Sequence, residues 1–81
     1  MNTPWNKPVV VHLGEPPVET VIETTQAAAW AMIEDWPMED GVALDRALEV
    51  CAAVDARKRK PEDARLAFVQ AATEAGILIR A

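Results

Sequence analysis

Serine and tyrosine are absent from this chain, and its 81 residues include one cysteine, one histidine and three glycines. Without serine a Ser-His-Asp triad is excluded, and a Cys-His dyad requires Cys51 and His12 to meet. One cysteine excludes an intramolecular disulfide, and with one histidine it gives no zinc-type ligand set. The glycines lie too far apart to form a phosphate-binding loop. The residue types therefore disfavour an enzyme, and no catalytic, cofactor or metal residue is predicted.

Long apolar runs are also missing. The longest, Ala27 to Ile33, has seven residues, whereas a helix that crosses a bilayer needs about 20. No signal peptide opens the chain, which predicts a cytoplasmic protein. The hydrophobic fraction of 51% and charged fraction of 26% are typical of a folded domain. At this size there is room for one domain, and with neither disulfide nor metal we expect stabilisation by self-association.

The order of sequence patterns predicts an α+β fold, an N-terminal β-hairpin followed by three helices that cover one of its faces. Residues 1–8 contain Trp5 between prolines and are expected to form an anchored arm. Residues 9–23 are β-branched and alternating around a Gly-Pro turn, which indicates the hairpin. The apolar tail at 77–80 is expected to add a third strand or to cover the core.

Helices are predicted over residues 24–36, 41–57 and 61–75. Thr24 or Thr25 is the candidate N-cap of the first, and Asp40 that of the second. Pro61 and Gly76 fit the two ends of the third. The apolar faces that we expect to turn inward comprise Ala29, Trp30, Ile33 and Trp36 on the first helix; Leu44, Ala47, Leu48, Cys51 and Val54 on the second; and Ala64, Ala67, Phe68, Ala71, Ala72 and Ala75 on the third.

Cys51 lies in the middle of the second apolar face, so the pattern predicts a buried, unreactive thiol. Core packing is the favoured role for the three tryptophans together, with at least one of Trp30 and Trp36 inside. Trp5, in the arm, is the candidate for a partner or ligand contact. Leu66 and Val69 fall on the outer side of the third helix and are further candidate partner contacts.

Charge is unevenly distributed. Residues 1–56 have a net charge of −8 and residues 57–81 a net charge of +3. The second part begins with the basic run Arg57, Lys58, Arg59 and Lys60. Together with Arg65, one turn into the third helix, this run is a candidate phosphate-contacting patch. The run has no interleaved aromatic residue, and the acidic remainder of the chain repels polyanions. A solvated turn between helices is the favoured interpretation, and nucleic-acid binding is not expected.

Several residues in one order resemble a small bacterial family, number 982 among the domains of unknown function. They are Trp5 with Pro8-Val9, Trp36-Pro37, Gly41, Ala47, Cys51, Ala64-Arg65, Phe68, Ala71-Ala72 and Ala75-Gly76-Ile77. The resemblance spans nearly the whole chain and implies single-domain cytoplasmic proteins of rhizobial and related soil bacteria. It implies no activity, and the basic run at 57–60 is not part of it.

By elimination, we expect a non-catalytic accessory or regulatory module that acts through protein contacts. It is expected to form a twofold homodimer, through the hairpin edge or through the side of the third helix around Leu66 and Val69. The alternative is a nucleic-acid-associated protein that uses the basic run. A further alternative is a small-molecule-binding module beneath Trp5.

Overall fold

The structure, a computed structural model, describes residues 4–81. Its elements, in chain order, are β1 (Val9–Leu13), β2 (Val18–Ile22), α1 (Thr25–Glu34), α2 (Val42–Asp55), α3 (Pro61–Ala75) and β3 (Leu78–Arg80). The strands form one antiparallel sheet in the order β2-β1-β3. The α+β prediction is confirmed, and the apolar tail is the third strand rather than a separate cover.

One face of the sheet meets the helices. Val9, Val11 and Leu13 alternate along β1 and join the core with residues of all three helices, as period-two alternation requires. His12 lies between the last two and is exposed on the opposite face, in register with Glu19 of β2. His12 also lines a pocket with Glu34, Asp35 and Trp36 at the end of α1.

Helix α1 begins as predicted but turns a different face inward. Thr24 is its N-cap, and the Thr24 hydroxyl accepts a hydrogen bond from the Ala27 amide at 3.0 Å. Its buried residues are Ala28, Ala31 and Met32. The expectation that Trp30 and Ile33 face the core is wrong, because the apolar run covers every side of this helix and periodicity cannot select one.

Helix α2 begins one residue later than predicted, because its N-terminus is capped from another helix. Gly41, not Asp40, is the N-cap residue and has no side chain to offer. The carboxylate of Glu74, on α3, accepts hydrogen bonds from the amides of Ala43 at 3.0 Å and Leu44 at 3.2 Å. These are the amides that an N-cap side chain normally binds. A Cβ on Gly41 would collide with that carboxylate, so glycine permits the long-range cap.

Helix α3 holds the aromatic centre of the core. Phe68 is fully buried, with ring centroids 5.8 Å from Trp5 and 5.5 Å from Trp36. The Trp5 indole N–H donates to the Thr25 hydroxyl at 3.1 Å, whereas the buried Nε1 of Trp36 has no partner within residues 4–81. Gly76 ends the helix at φ 73°, in the left-handed conformation predicted for it. Two chain segments, the arm and the segment after α1, thus converge on one phenylalanine of α3.

Two helices end earlier than the sequence suggests. Helix α1 stops at Glu34 rather than residue 36, because Asp35 is its C-cap and the following residues lead into Pro37. Helix α2 stops at Asp55 rather than residue 57, because Arg57 takes a positive φ of 63°. Across residues 4–81, no helix has the length and apolarity that crossing a membrane demands.

Candidate interaction groove

A groove of about 730 Å³ runs between α1 and α2. Trp30 and Ile33, 57% and 68% exposed, stand side by side on α1, since residues three apart share a helix face. The α2 side contributes Leu48 and Ala52. The lining residues in full are Thr25, Gln26, Ala29, Trp30, Ile33, Glu34, Leu48, Cys51, Ala52 and Asp55. Two large apolar side chains thus lie in water beside a recess, which makes this groove the candidate site.

The charged side chains of this groove are all acidic. Glu34 ends α1 and Asp55 ends α2, and neither lysine nor arginine lines the groove. Both carboxylates are exposed. An apolar surface bordered by two anions favours a partner that presents apolar side chains together with cations.

Cys51 lies at the floor of the groove with its side chain buried, as the sequence predicted. Burial away from water disfavours the thiolate and raises the pKa of the Cys51 thiol to about 11. The thiol is therefore protonated near neutral pH, and a protonated thiol is a poor nucleophile.

The two residues that a Cys-His dyad would need line different pockets. His12 lines a pocket at the end of α1, while Cys51 lines the groove between α1 and α2. No cluster of three or more His, Cys, Asp or Glu side chains suited to a metal ion occurs within residues 4–81.

The basic run forms the exposed turn between α2 and α3, and the structure adds Lys7 to the patch that it forms with Arg65. Lys7 and Arg65 line a pocket of about 330 Å³ together with Lys60, Trp5 and Glu62. The Arg65 side chain donates to the Lys7 carbonyl at 2.9 Å and so holds the arm against α3. Lys7 is 53 positions away from Lys60 in the chain, so sequence proximity gave no sign of this grouping.

Trp5, the candidate partner or ligand contact, is buried. Its indole packs on Phe68, and its backbone amide donates to the Glu23 carbonyl at 2.6 Å. One edge of the residue reaches the basic pocket. Trp5 therefore ties residues 4–8 of the arm to the core and presents little surface to a partner, while residues 1–3 of the predicted arm lie outside the described residues.

Leu66 and Val69, the other candidate partner contacts, differ in their surroundings. Leu66 is 52% exposed, while Val69 is half-buried and packs against the core. Leu66 borders a shallow depression of about 190 Å³ whose other lining residues are Arg46, Val50, Arg59, Asp63, Ala67 and Gln70. We call this surface the Leu66 face. Trp30 and Ile33 are the exposed apolar residues that the sequence reasoning assigned to the core.

Comparison with known proteins gives a family. The family model described as "Protein of unknown function (DUF982)" matches residues 7–79. No curated protein and no solved structure matches the chain. The match extends over almost the whole sequence and includes every element from β1 to α3. This chain belongs to the DUF982 family.

Proposed function

We propose that this chain is a non-catalytic accessory or regulatory module of the bacterial cytoplasm that acts by binding protein through the α1–α2 groove. The observation that carries the proposal is the exposure of Trp30 and Ile33 side by side above a recess. Tryptophan supplies much of the binding energy at protein interfaces, because a large rigid ring is removed from water with little loss of side-chain entropy.

The groove defines the chemistry of its partner. Its floor includes the small side chains of Ala29 and Ala52, which allow a helix to approach closely. Glu34 and Asp55 at its rim favour cations on the incoming surface. We therefore expect a helical face with an apolar residue at its centre and arginine or lysine beside it, a mode in which an amphipathic helix lies in an apolar groove.

The non-catalytic part of the proposal is supported by Cys51 and His12. The buried thiol has a raised pKa, and the histidine is exposed and lines a different pocket. A free, protonated cysteine also suits the reducing cytoplasm.

Site-specific photo-crosslinking in the native cell tests the groove. A photoreactive amino acid at Ile33 should yield protein adducts that the same residue at Val42 does not, since Val42 is 85% exposed but lies outside the groove. Asp55→Lys should reduce the adducts from position 33 by reversing the rim charge. This change also places a cation at the C-terminus of α2, where the helix dipole favours one, so the variant should fold.

Equal adduct patterns at positions 33 and 42, or adducts at 33 that are insensitive to Asp55→Lys, would contradict the proposal. The first result would mean that exposure alone determines crosslinking. The second would mean that the acidic rim does not select the partner.

The second candidate function is association with nucleic acid, and one observation favours it. The fold brings Lys7 and Arg65 to Lys60 and so enlarges the basic patch beyond the run at 57–60. Against it, Glu62 lines the same pocket, and a net charge of −5 on the chain opposes a polyanion. The alternative of a small-molecule-binding module would use the same pocket, where a small anionic ligand would lie beside Trp5.

A further inference from the structure

The partner chemistry that the groove favours is present on the chain's own surface. The Leu66 face has an exposed leucine on a helix with Arg46 and Arg59 beside it. We propose that the Leu66 face of one copy occupies the α1–α2 groove of the next, so that copies join head to tail. This inference rests on the proposed function and names its partner as a second copy of this chain.

The cations of the Leu66 face come from two different segments. Arg46 is on α2, and Arg59 is in the turn that leads into α3. Asp63 pairs with Arg59 at 4.0 Å, with both side chains partly exposed. A guanidinium carries five donors, so this long contact leaves Arg59 able to bind a second carboxylate. The face keeps two cations against one anion.

Charge complementarity distinguishes the head-to-tail contact from a twofold one. Head to tail, Arg46 and Arg59 approach Glu34 and Asp55 of the next copy, and Leu66 enters the recess beside Trp30. A twofold contact of groove with groove would bring four carboxylates together. A twofold contact of two Leu66 faces would bring four guanidinium groups together against the two Asp63 carboxylates, which leaves an excess of positive charge. Like charges that face each other disfavour an interface.

The arrangement has a geometric consequence. The groove lies between α1 and α2, while the Leu66 face lies on α2 and α3, so each contact leaves one groove and one Leu66 face unoccupied. Such heterologous contacts continue until a ring closes or a chain grows. The self-association should be weak, because two single-residue anchors bury less surface than a standard interface.

Mixing two variants tests the proposal. Trp30→Glu removes the groove anchor and keeps the Leu66 face, whereas Leu66→Glu removes the face and keeps the groove. Both side chains are exposed, so each variant should fold, as circular dichroism will show. In sedimentation equilibrium at chain concentrations from about 1 µM to about 1 mM, each alone should remain at the 8.9 kDa chain mass. An equimolar mixture should form a dimer of twice that mass and nothing larger.

The mean mass of the unmodified protein should rise with concentration, either past the mass of a dimer or to the constant mass of one closed ring. Val21→Lys, on the exposed hairpin edge, is the matched control and should behave like the unmodified protein. Three results would overturn the head-to-tail contact. The first is an unmodified protein that stays monomeric throughout the concentration range, and the second is a mixture of the two variants that stays monomeric. The third is a stable dimer of the Trp30→Glu variant that is lost when Leu66→Glu or Val21→Lys is added to it, since such a dimer would not use the groove.

The crosslinking experiment separates this inference from the proposed function. If position 33 crosslinks only to a different protein and the chain is monomeric, the head-to-tail contact is wrong and the proposed function stands. If position 33 gives no adducts beyond those at position 42, the proposed function fails. Adducts between two copies support both.

Discussion

The cap that Glu74 provides for α2 leads to a prediction about Gly41→Ala, which should destabilise the protein when Glu74 is present and stabilise it when Glu74 is absent. Glu74→Ala removes the acceptor of the Ala43 and Leu44 amides. Gly41→Ala leaves the acceptor in the chain but puts a methyl group where the carboxylate lies, 2.9 Å from its Cδ atom. The Glu74 side chain must then swing away. Both substitutions therefore remove the same two hydrogen bonds.

The magnitudes follow from the geometry of the cap. Loss of an N-cap side chain costs about 0.5–2 kcal/mol, and charged acceptors contribute more than neutral ones. Because Glu74 is exposed and water can replace it, we expect about 1.5 kcal/mol for Glu74→Ala. Gly41→Ala loses the same cap but gains about 0.4–1 kcal/mol, because alanine restricts the unfolded chain. Gly41 has extended backbone angles that alanine also adopts, so the net cost is about 1 kcal/mol.

In the Glu74→Ala background, Gly41→Ala still stabilises the protein by restricting the unfolded chain, and there is no Glu74 cap left for it to disrupt. It should therefore destabilise the unmodified protein and stabilise Glu74→Ala. Urea denaturation of the four proteins in this cycle measures the coupling, expected at about 1.5 kcal/mol. The cycle belongs in a Leu66→Glu background at one fixed concentration, because self-association changes apparent stability. Equal destabilisation by Gly41→Ala in both backgrounds would refute the reasoning.

Further predictions concern the indoles, the thiol and the basic run. Trp5→Phe should cost about 1 kcal/mol more than Trp36→Phe in urea denaturation, because only the first removes a hydrogen-bonded N–H; the opposite order would contradict the assigned contacts. Cys51 should react slowly with a thiol reagent in the native protein and fast in urea. Its thiol ionises near 9.0 when unfolded and near 11 when folded, so the stability of the protein relative to Cys51→Ala should be constant below pH 9 and fall towards pH 11. At physiological salt the unmodified protein should not bind duplex DNA, so charge-neutralising substitutions in the run at 57–60 should have no effect on binding. Tight binding by the unmodified protein would favour the second candidate function, and the substitutions should then reduce the slope of its salt dependence by up to about 0.9 per lost phosphate contact.

The sequence predicts the order and type of the elements well, because the relevant signals are local. Thr24 caps α1, and Pro61 and Gly76 delimit α3, through contacts within a few residues. The β-branched, apolar run of β1 predicts a strand, but it does not predict which face of the strand meets the core, because three consecutive valines do not alternate. The apolar residues of α2 and α3 recur at helical spacing, so the burial of Cys51 and Phe68 follows from the pattern.

Features that depend on residues far apart in the chain are not predictable in this way. Asp40 is a reasonable N-cap by local rules, and only the fold shows that Glu74 occupies that role from 30 residues away. The groove is missed for a related reason. A helix that is apolar on every side has no unique inward face, and the positions of the sheet and α2 decide that alanines turn inward while Trp30 remains outside.

The three indoles occupy three different environments, which gives the chain its own spectroscopic reporters. One indole N–H is hydrogen-bonded in the core, one is buried and has no partner among residues 4–81, and one is on a largely exposed ring. These protons should give three separate NMR resonances, and the exposed ring should dominate the red edge of the fluorescence emission. Docking of the arm, integrity of the core and occupancy of the groove can thus each be followed in one unlabelled sample, without a dye whose bulk would disturb an 8.9 kDa protein.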